Sequence, residues 1–215
     1  MTFSDDLCQL VIKNLQIVED APLVVSQIDQ VLLSAINQRI EKRVNSDIGW
    51  PDGLFDLSPV NDEAETKFQP PEWLKKSDNG NMECSAFYQL EGYGRDNRYW
   101  SSYAIGLEGR SLALTFSVNY RNLDIKTKIF KNKLTELEKN GLIAANCFIK
   151  SDTGDYYYHQ ITLSADLLAE EYPDLDKVLA PIDKALDDLF KAHTTVFDDF
   201  VKKLLEEYNS KNLNI

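Results

Sequence analysis

Apolar residues recur every three to four positions along the first 48 residues, which is the spacing of amphipathic helices. Ser4 can cap a first helix, and Ala21 followed by Pro22 marks its end, because proline suits the first turn of a following helix. A second helix of about twenty residues, ~30 Å long, should end before Gly49. Its apolar stripe comprises Val24, Ile28, Val31, Leu32, Ala35, Ile36, Ile40 and Val44. The pattern predicts an N-terminal helical hairpin over residues 1–48.

Residues 49–81 follow neither the helical nor the strand period. They are rich in proline, glycine and asparagine, which favour turns. A loop of this length is uncommon inside a compact domain and usually serves a function. Four aromatic side chains should attach it to the body of the protein: Trp50, Phe55, Phe68 and Trp73.

Residues 82–163 are dominated by apolar positions that alternate with a period of two. This alternation covers 83–91, 99–107 and 112–118, and short turns with glycine separate the three segments. Such a sequence is typical of three strands joined as an antiparallel meander.

The meander is followed by a helical segment and a hairpin. Helical spacing over 123–140 predicts a helix that ends at Gly141. Two apolar segments at 143–150 and 156–163 then flank a run of turn residues, which predicts a β-hairpin.

The last part of the domain, residues 164–208, has helical periodicity throughout. Ser164 should begin a short helix that ends before Pro173, because the residue preceding proline avoids the helical region. Another helix should follow, and Thr194 or Thr195 should cap the last one.

These elements predict a single α+β domain over residues 1–215. Its core should be an antiparallel sheet of about five strands with a packed central helix and flanking N- and C-terminal helices.

The amino-acid composition indicates the cellular compartment and the class of partner. The formal net charge is −12 over 215 residues, and this balance repels phosphate backbones, so nucleic acid is an improbable partner and a basic protein a better one. Apolar runs are too short for a membrane span, and the N-terminus lacks the features of a signal peptide. Three widely spaced cysteines argue against a disulfide framework and against a zinc cluster. The sequence therefore predicts a cytoplasmic protein.

The irregular loop contains the elements of the PD-(D/E)XK nuclease signature. Asp52 follows a proline, and Glu65 and Lys67 have the spacing of the second half of the motif. In that chemistry the carboxylates bind Mg²⁺ and the lysine helps to activate water. Asp52 and Glu65 lie in turn-rich and acidic surroundings rather than on two apolar strands. A divergent Mg²⁺-dependent nuclease is thus one alternative function, with Asp52, Glu65 and Lys67 as catalytic residues.

The helix at 123–140 and the following hairpin have the order of a recognition helix and wing in winged-helix proteins. This helix is the one locally basic stretch, and its lysines could contact phosphates. The candidate nucleic-acid-binding residues are Lys126, Lys128, Lys131 and Lys133. A winged helix needs two helices immediately upstream, whereas residues 111–119 have the pattern of a strand. The competing interpretation is a helix whose lysines face solvent while its apolar side packs on the sheet.

Histidine is scarce, and neither His159 nor His193 has a cysteine or an acid nearby at the spacing of metal ligands. The sequence therefore predicts no metal site and no cofactor, except Mg²⁺ in the nuclease alternative. His159 is expected to lie half exposed on a strand.

A family resemblance extends over residues 83–207. It rests on Tyr99-Trp100, the segment 158–161 with Leu163, Leu168-Ala169 and Tyr172-Pro173-Asp174 before two closing helices. This arrangement resembles the C-terminal part of bacterial PD-(D/E)XK nuclease-superfamily proteins. The resemblance implies descent from, or partnership with, DNA-processing or phage-defence systems.

Taken together, these features favour a non-catalytic protein-interaction or regulatory module. Its partner, either another protein or a second copy of the chain, should bind through the N-terminal helices. The expected contact residues lie on the stripe of the second helix: Ile28, Val31, Leu32 and Ile36.

Overall fold

An antiparallel sheet forms the centre of the protein. The computed structural model describes residues 4–50, 56–57, 66–76, 82–94, 99–139 and 141–212. The described strands are β1 (Asp56–Leu57), β2 (Thr66–Phe68), β3 (Leu74–Lys76), β4 (Met82–Cys84), β5 (Ala86–Tyr93), β6 (Ser111–Val118), β7 (Ile149–Lys150) and β8 (Tyr156–Ile161). Six of them form one sheet in the order β1-β2-β5-β6-β8-β7, and β3 pairs with β4.

Helices lie before, between and after the strands along the chain. They are α1 (Asp5–Lys13), α2 (Leu15–Arg43), α3 (Trp100–Ala104), α4 (Thr127–Glu138), α5 (Leu142–Ala145), α6 (Ala165–Glu171), α7 (Ala180–Ala192) and α8 (Asp198–Asn212). The predicted α+β class, with an antiparallel sheet and flanking helices, is confirmed. Among the described helices, none combines the length and the apolar character that crossing a bilayer requires.

The predicted meander is wrong at its middle segment. β5 pairs directly with β6, from Ala86 opposite Val118 to Tyr93 opposite Ser111, and β8 lies on the other side of β6. Residues 99–107 form helix α3 and a short 3-10 turn instead of a strand.

The helix α3 forms because α2 supplies its cap. Asp29 is buried on α2, and its carboxylate accepts hydrogen bonds from the backbone N–H groups of Trp100 at 2.9 Å and Ser101 at 2.7 Å. A carboxylate at a helix N-terminus satisfies free N–H groups and favours the helical conformation. The capping group comes from a distant part of the chain, so local alternation gave the wrong prediction.

The predicted break in the N-terminal helices is also misplaced. The chain deviates from helical geometry at Asn14, whose side-chain amide donates to the carbonyl oxygen of Leu10 at 2.8 Å. Pro22 lies inside α2. Proline removes one backbone hydrogen bond, and on this exposed turn water can satisfy the released carbonyl group.

The C-terminal helices are continuous where a cap was predicted. A π-helical turn, His193–Phe197, joins α7 directly to α8. The hydroxyl of Thr194 donates to the carbonyl of Phe190 at 3.1 Å, and that of Thr195 donates to the carbonyl of Lys191 at 2.7 Å. Because both hydroxyls bond back into the preceding turn, they extend the helix instead of starting a new one.

Three other local predictions agree with the structure in outline. β7 and β8 form the predicted antiparallel hairpin. Ser164 accepts a hydrogen bond from the N–H of Leu167 at 3.2 Å and so caps α6, which ends before Pro173. The helix predicted over 123–140 is shorter, because Asp124 has a φ of 51° that interrupts helical geometry before α4.

An aromatic cluster forms the centre of the core on one face of the sheet. Tyr88 of β5 is fully buried, and its ring lies 5.2 Å from Trp73, 5.5 Å from Phe68 and 5.8 Å from Phe116. The α7–α8 run covers this face, where Phe197 stacks on Phe116 with ring centres 4.0 Å apart. Three of the four predicted loop anchors, Trp50, Phe68 and Trp73, are therefore core residues, and Phe55 lies outside the described residues.

A histidine is buried inside this aromatic cluster. His193 Nδ1 lies 3.0 Å from the hydroxyl oxygen of Tyr88. Burial lowers the pKa of His193 to about 4, although the carboxylates of Asp198 and Glu72 act in the opposite direction; Lys202 adds to the lowering. The imidazole is consequently neutral in the folded protein at pH 7.

Acid should destabilise the fold through this histidine. Its pKa is about 6.5 when unfolded and about 4 when folded, so between these values the unfolded chain binds more protons. We expect the free energy of unfolding to fall by about 3 kcal/mol from pH 6.5 to pH 4 through this group alone. Urea denaturation across this range should show a weaker pH dependence for His193→Gln than for wild type. Equal pH dependence in the two proteins would contradict this role.

Candidate functional site

The two halves of α2 have different environments. In the second half, Leu32, Ile36, Ile40 and Val44 are fully buried in the core. This half is also tied to α7 by ion pairs that converge on Asp183, which lies 2.8 Å from Arg39 Nη1 and 3.1 Å from Arg43 Nη1. The second half is therefore part of the body of the protein.

The preceding helical segment, residues 8–27, is here called the arm. Not one residue of the arm is buried, and all but Asn14, Ala21 and Val25 are exposed. Twenty helical residues correspond to about 30 Å. No residue of the arm is therefore part of the buried core.

The arm carries large apolar side chains that face solvent. Leu23 is 74% exposed and Ile17 is 67% exposed. The exposed apolar set is Leu10, Val11, Ile12, Leu15, Ile17, Val18, Leu23 and Val24. Some of these residues recur every seven positions: Leu10 and Val11, then Ile17 and Val18, then Val24. A seven-residue repeat is typical of helices that pair as coiled coils. Single exposed leucines need no explanation, but these eight residues lie within the segment 10–24 and together form an exposed apolar surface.

The positive and negative side chains of the arm lie at different positions along its length. Lys13 lies near one end, and Glu19 and Asp20 lie one to two turns further along. Within the arm, Gln16 Nε2 donates to the carboxylate of Asp20 at 2.9 Å.

The predicted interaction residues only border this surface. Leu32 and Ile36 are fully buried in the protein's own core, on the helix α2 that packs against α3 and α7, so neither is accessible to a partner in this structure. Ile28 and Val31 are half-buried. The apolar surface that remains accessible begins before Ile28, in the arm.

An apolar groove continues this surface onto the body. Its volume is about 430 Å³, and its lining includes Ile28 of α2, Ser101 and Ile105 of the α3 region, and Leu168 and Tyr172 of the α6 region. Ile28 is one helical turn beyond Val24 of the arm, so the groove and the stripe are neighbours along α2.

The nuclease candidates are only partly within the described residues. Asp52 and Glu65 lie outside them. Lys67 lies on β2, where its backbone is opposite Asp56 of β1, and its ammonium nitrogen is 5.4 Å from the centre of the Phe87 ring. The nuclease hypothesis stays a prediction.

The four candidate nucleic-acid-binding lysines have different surroundings in the structure. Lys133 forms an ion pair of 2.7 Å with Glu207 of α8, and Lys131 donates to the carbonyl oxygen of Thr153 in the hairpin turn. Lys126 and Lys128 are exposed at the start of α4. Upstream of α4 lies the central strand β6, where a winged helix would have helices.

Three potential metal ligands that appeared unrelated in the sequence meet in the structure. Cys147 follows α5, His159 lies on β8 and Asp188 lies on α7, and one ligand atom of each is within 4.8 Å of the others. The prediction that His159 has no cysteine or acid near it considered only sequence spacing. No local motif identifies this group, because each member comes from a different element.

Comparisons with known proteins found no relatives. No protein-family model matches the chain, and neither curated proteins nor solved structures contain a significant match. The resemblance of residues 83–207 to PD-(D/E)XK proteins therefore rests on the sequence residues that suggested it.

Proposed function

We propose that this protein is a protein-interaction module that self-associates through its arm. The observation that carries the proposal is the set of exposed apolar side chains along the arm, in which no residue is buried. A regulatory role in bacterial or phage DNA-processing or defence systems is the wider context that the family resemblance implies.

Helix energetics support a partner for the arm. A helix of this length without tertiary contacts is marginally stable in water. The arm also contains Pro22 and β-branched residues, which have low helix propensity. Burying its apolar side chains would contribute about 1.5–3 kcal/mol for each one fully covered. Pairing with another helix therefore accounts for both the helical conformation and the apolar stripe.

The charges of the arm favour a second copy in antiparallel orientation. When two arms cross near Gln16 in opposite directions, Lys13 of one copy comes close to Glu19 and Asp20 of the other. Two-fold symmetry creates this contact twice. Parallel pairing in register would instead place Lys13 beside Lys13 and the acids beside acids. The arm is thus electrostatically complementary to itself in one orientation only.

Charge exchange between two variants tests this orientation. Lys13→Glu should weaken self-association because every facing pair becomes acidic, and Glu19→Lys with Asp20→Lys should weaken it because every facing pair becomes basic. Mixing the two variants should restore association, since both contacts are then between opposite charges. We expect a dissociation constant about tenfold lower for the mixture than for either variant alone, which is about 1.4 kcal/mol.

Sedimentation velocity on each variant and on the equimolar mixture provides the measurement. Low salt is needed, because exposed ion pairs are screened as ionic strength rises. Single variants that associate as strongly as wild type would contradict the antiparallel arrangement, because parallel pairing only exchanges one pair of like charges for another. A mixture that associates no better than the separate variants would contradict it as well.

A further inference from the structure

Cys147, His159 and Asp188 bring three potential metal-ligand atoms close together. His159 Nε2 lies 3.1 Å from a carboxylate oxygen of Asp188, and the three potential ligand atoms are all within 4.8 Å of one another. Two ligands bound at about 2.0–2.1 Å to a tetrahedral ion are about 3.3 Å apart. The separation of His159 from Asp188 is therefore close to that of two ligands on one ion.

The hydrogen bonds of His159 indicate which ring nitrogen is available. Its Nδ1 lies 3.0 Å from the carbonyl oxygen of Gln160, which accepts hydrogen bonds only, while Nε2 faces the carboxylate of Asp188, which is also an acceptor when ionised. A neutral imidazole can donate to one of these groups and not to both. A protonated ring would donate to both groups; with Nε2 bound to a metal ion instead, Nδ1–H would donate to Gln160. Histidine ligands in metal sites usually donate their second nitrogen to a carbonyl or carboxylate in this way.

The same hydrogen bonds argue against a cysteine–histidine–aspartate catalytic triad. In a triad one ring nitrogen faces the thiol and the other faces the carboxylate. Here the carbonyl oxygen of Gln160 occupies one nitrogen and Asp188 the other. No nitrogen remains to accept a proton from Cys147.

The surroundings of the site hold two ligands in place and leave the third accessible. The side chains of His159 and Asp188 are 12% and 23% exposed, and the edge of the Phe148 ring contacts His159 at a centre-to-centre distance of 5.7 Å. Cys147 is exposed and has a φ of 62°, which an ordinary L-residue rarely adopts. Glycine or asparagine is usual at this position after a helix, so the thiol is kept in a conformation that other residues avoid.

We propose that Cys147, His159 and Asp188 bind a zinc-type divalent ion, with a fourth position open to solvent for water or an external ligand. Thiolate and imidazole ligands select borderline-soft transition metals over Mg²⁺ or Ca²⁺. Three protein ligands and an open position are the arrangement of sites that activate water or bind a ligand. The ion would also tie the segment after α5, the sheet and α7 together and so stabilise the folded state. This site is independent of the arm and of its self-association.

Cobalt substitution in the full-length protein tests the proposal. The chain, treated with chelator and then held under reducing conditions, is titrated with Co²⁺ and the absorption spectrum is recorded. We expect one equivalent to bind, with a thiolate-to-cobalt charge-transfer band and intense d–d bands of low-symmetry coordination, and we expect Zn²⁺ to abolish the spectrum. Cys147→Ser should lose the charge-transfer band and weaken binding by more than about a hundredfold, since even ligand-supporting residues contribute 10–100-fold.

Two comparisons control for other binding modes. Cys8→Ser removes another exposed free cysteine and should bind Co²⁺ as wild type does. Asp188→Asn keeps the shape of the side chain and should weaken binding, and its circular dichroism spectrum without metal shows whether it is folded. Failure of wild type to bind one equivalent would overturn the proposal and leave His159 and Asp188 as a hydrogen-bonded pair between β8 and α7. A charge-transfer band that survives in Cys147→Ser would overturn it as well.

Discussion

Ile36→Lys is expected to unfold most of the protein at neutral pH. Ile36 is fully buried on the half of α2 that packs in the core. The substitution replaces a packed apolar side chain with a charge inside the core, and an unpaired buried charge destabilises by several kcal/mol. The free energy of unfolding of an ordinary domain is only about 5–15 kcal/mol. Urea denaturation followed by circular dichroism should show a loss of at least about 4 kcal/mol, or no cooperative transition.

Gln38→Lys is the matched control for this prediction. Gln38 is exposed on the same helix, so the same charge is introduced without burial. Its free energy of unfolding should stay within about 0.5 kcal/mol of wild type. If Ile36→Lys were as stable as Gln38→Lys and only lost mass in solution, Ile36 would belong to an interface between chains and not to the core.

Ile17→Glu is expected to separate the self-associated protein into single chains that remain folded. Ile17 is 67% exposed in the isolated chain, so glutamate there is solvated and leaves the body of the protein unchanged. In the paired state the carboxylate would be placed in an apolar contact, and each copy would lose about 1.5–3 kcal/mol of apolar burial. We expect the dissociation constant to rise by at least about a hundredfold, or about 2.7 kcal/mol.

Ser26→Glu makes the same charge change on the opposite side of the arm. Ser26 is exposed and lies nine positions from Ile17, which is half a turn around the helix. This variant should associate almost as strongly as wild type, and both variants should keep the urea midpoint of the body. Equal weakening by the two substitutions would point to net charge, and not to the stripe, as the determinant of association.

Much of the architecture follows from local patterns in the sequence. The alternation in β5 and β6, the helical period of α4 and the cap at Ser164 each involve neighbouring residues whose side chains decide the conformation. These predictions agree with the structure because propensity and packing act in the same direction there.

The errors arise where a distant group decides the local conformation. The segment 99–107 alternates like a strand, yet Asp29 on α2 caps it as a helix. Thr194 and Thr195 are residues that favour caps, but the packing of Phe197 on Phe116 continues the helix through them. Neither contact can be inferred from the sequence around the segment itself.

The candidate site shows the same contrast between features that local sequence determines and features that distant contacts determine. The apolar residues of the N-terminal region form a nearly continuous pattern, so the sequence predicts a helix with an apolar face and does not indicate which part of that face the sheet covers. Burial separates Ile36, in the core, from Ile17, in the arm. The group of Cys147, His159 and Asp188 was missed for a related reason, because three elements of the folded chain must meet before its ligands become neighbours.

Sedimentation equilibrium of the wild-type protein from low to tens of micromolar concentration is the most direct test of association through the arm. The chain has a mass of 24.6 kDa. The proposed pairing predicts a weight-average mass that rises with concentration towards twice this value, and it predicts that Ile17→Glu stays at the mass of one chain. A wild-type protein that remains at 24.6 kDa throughout the concentration range would contradict self-association through the arm.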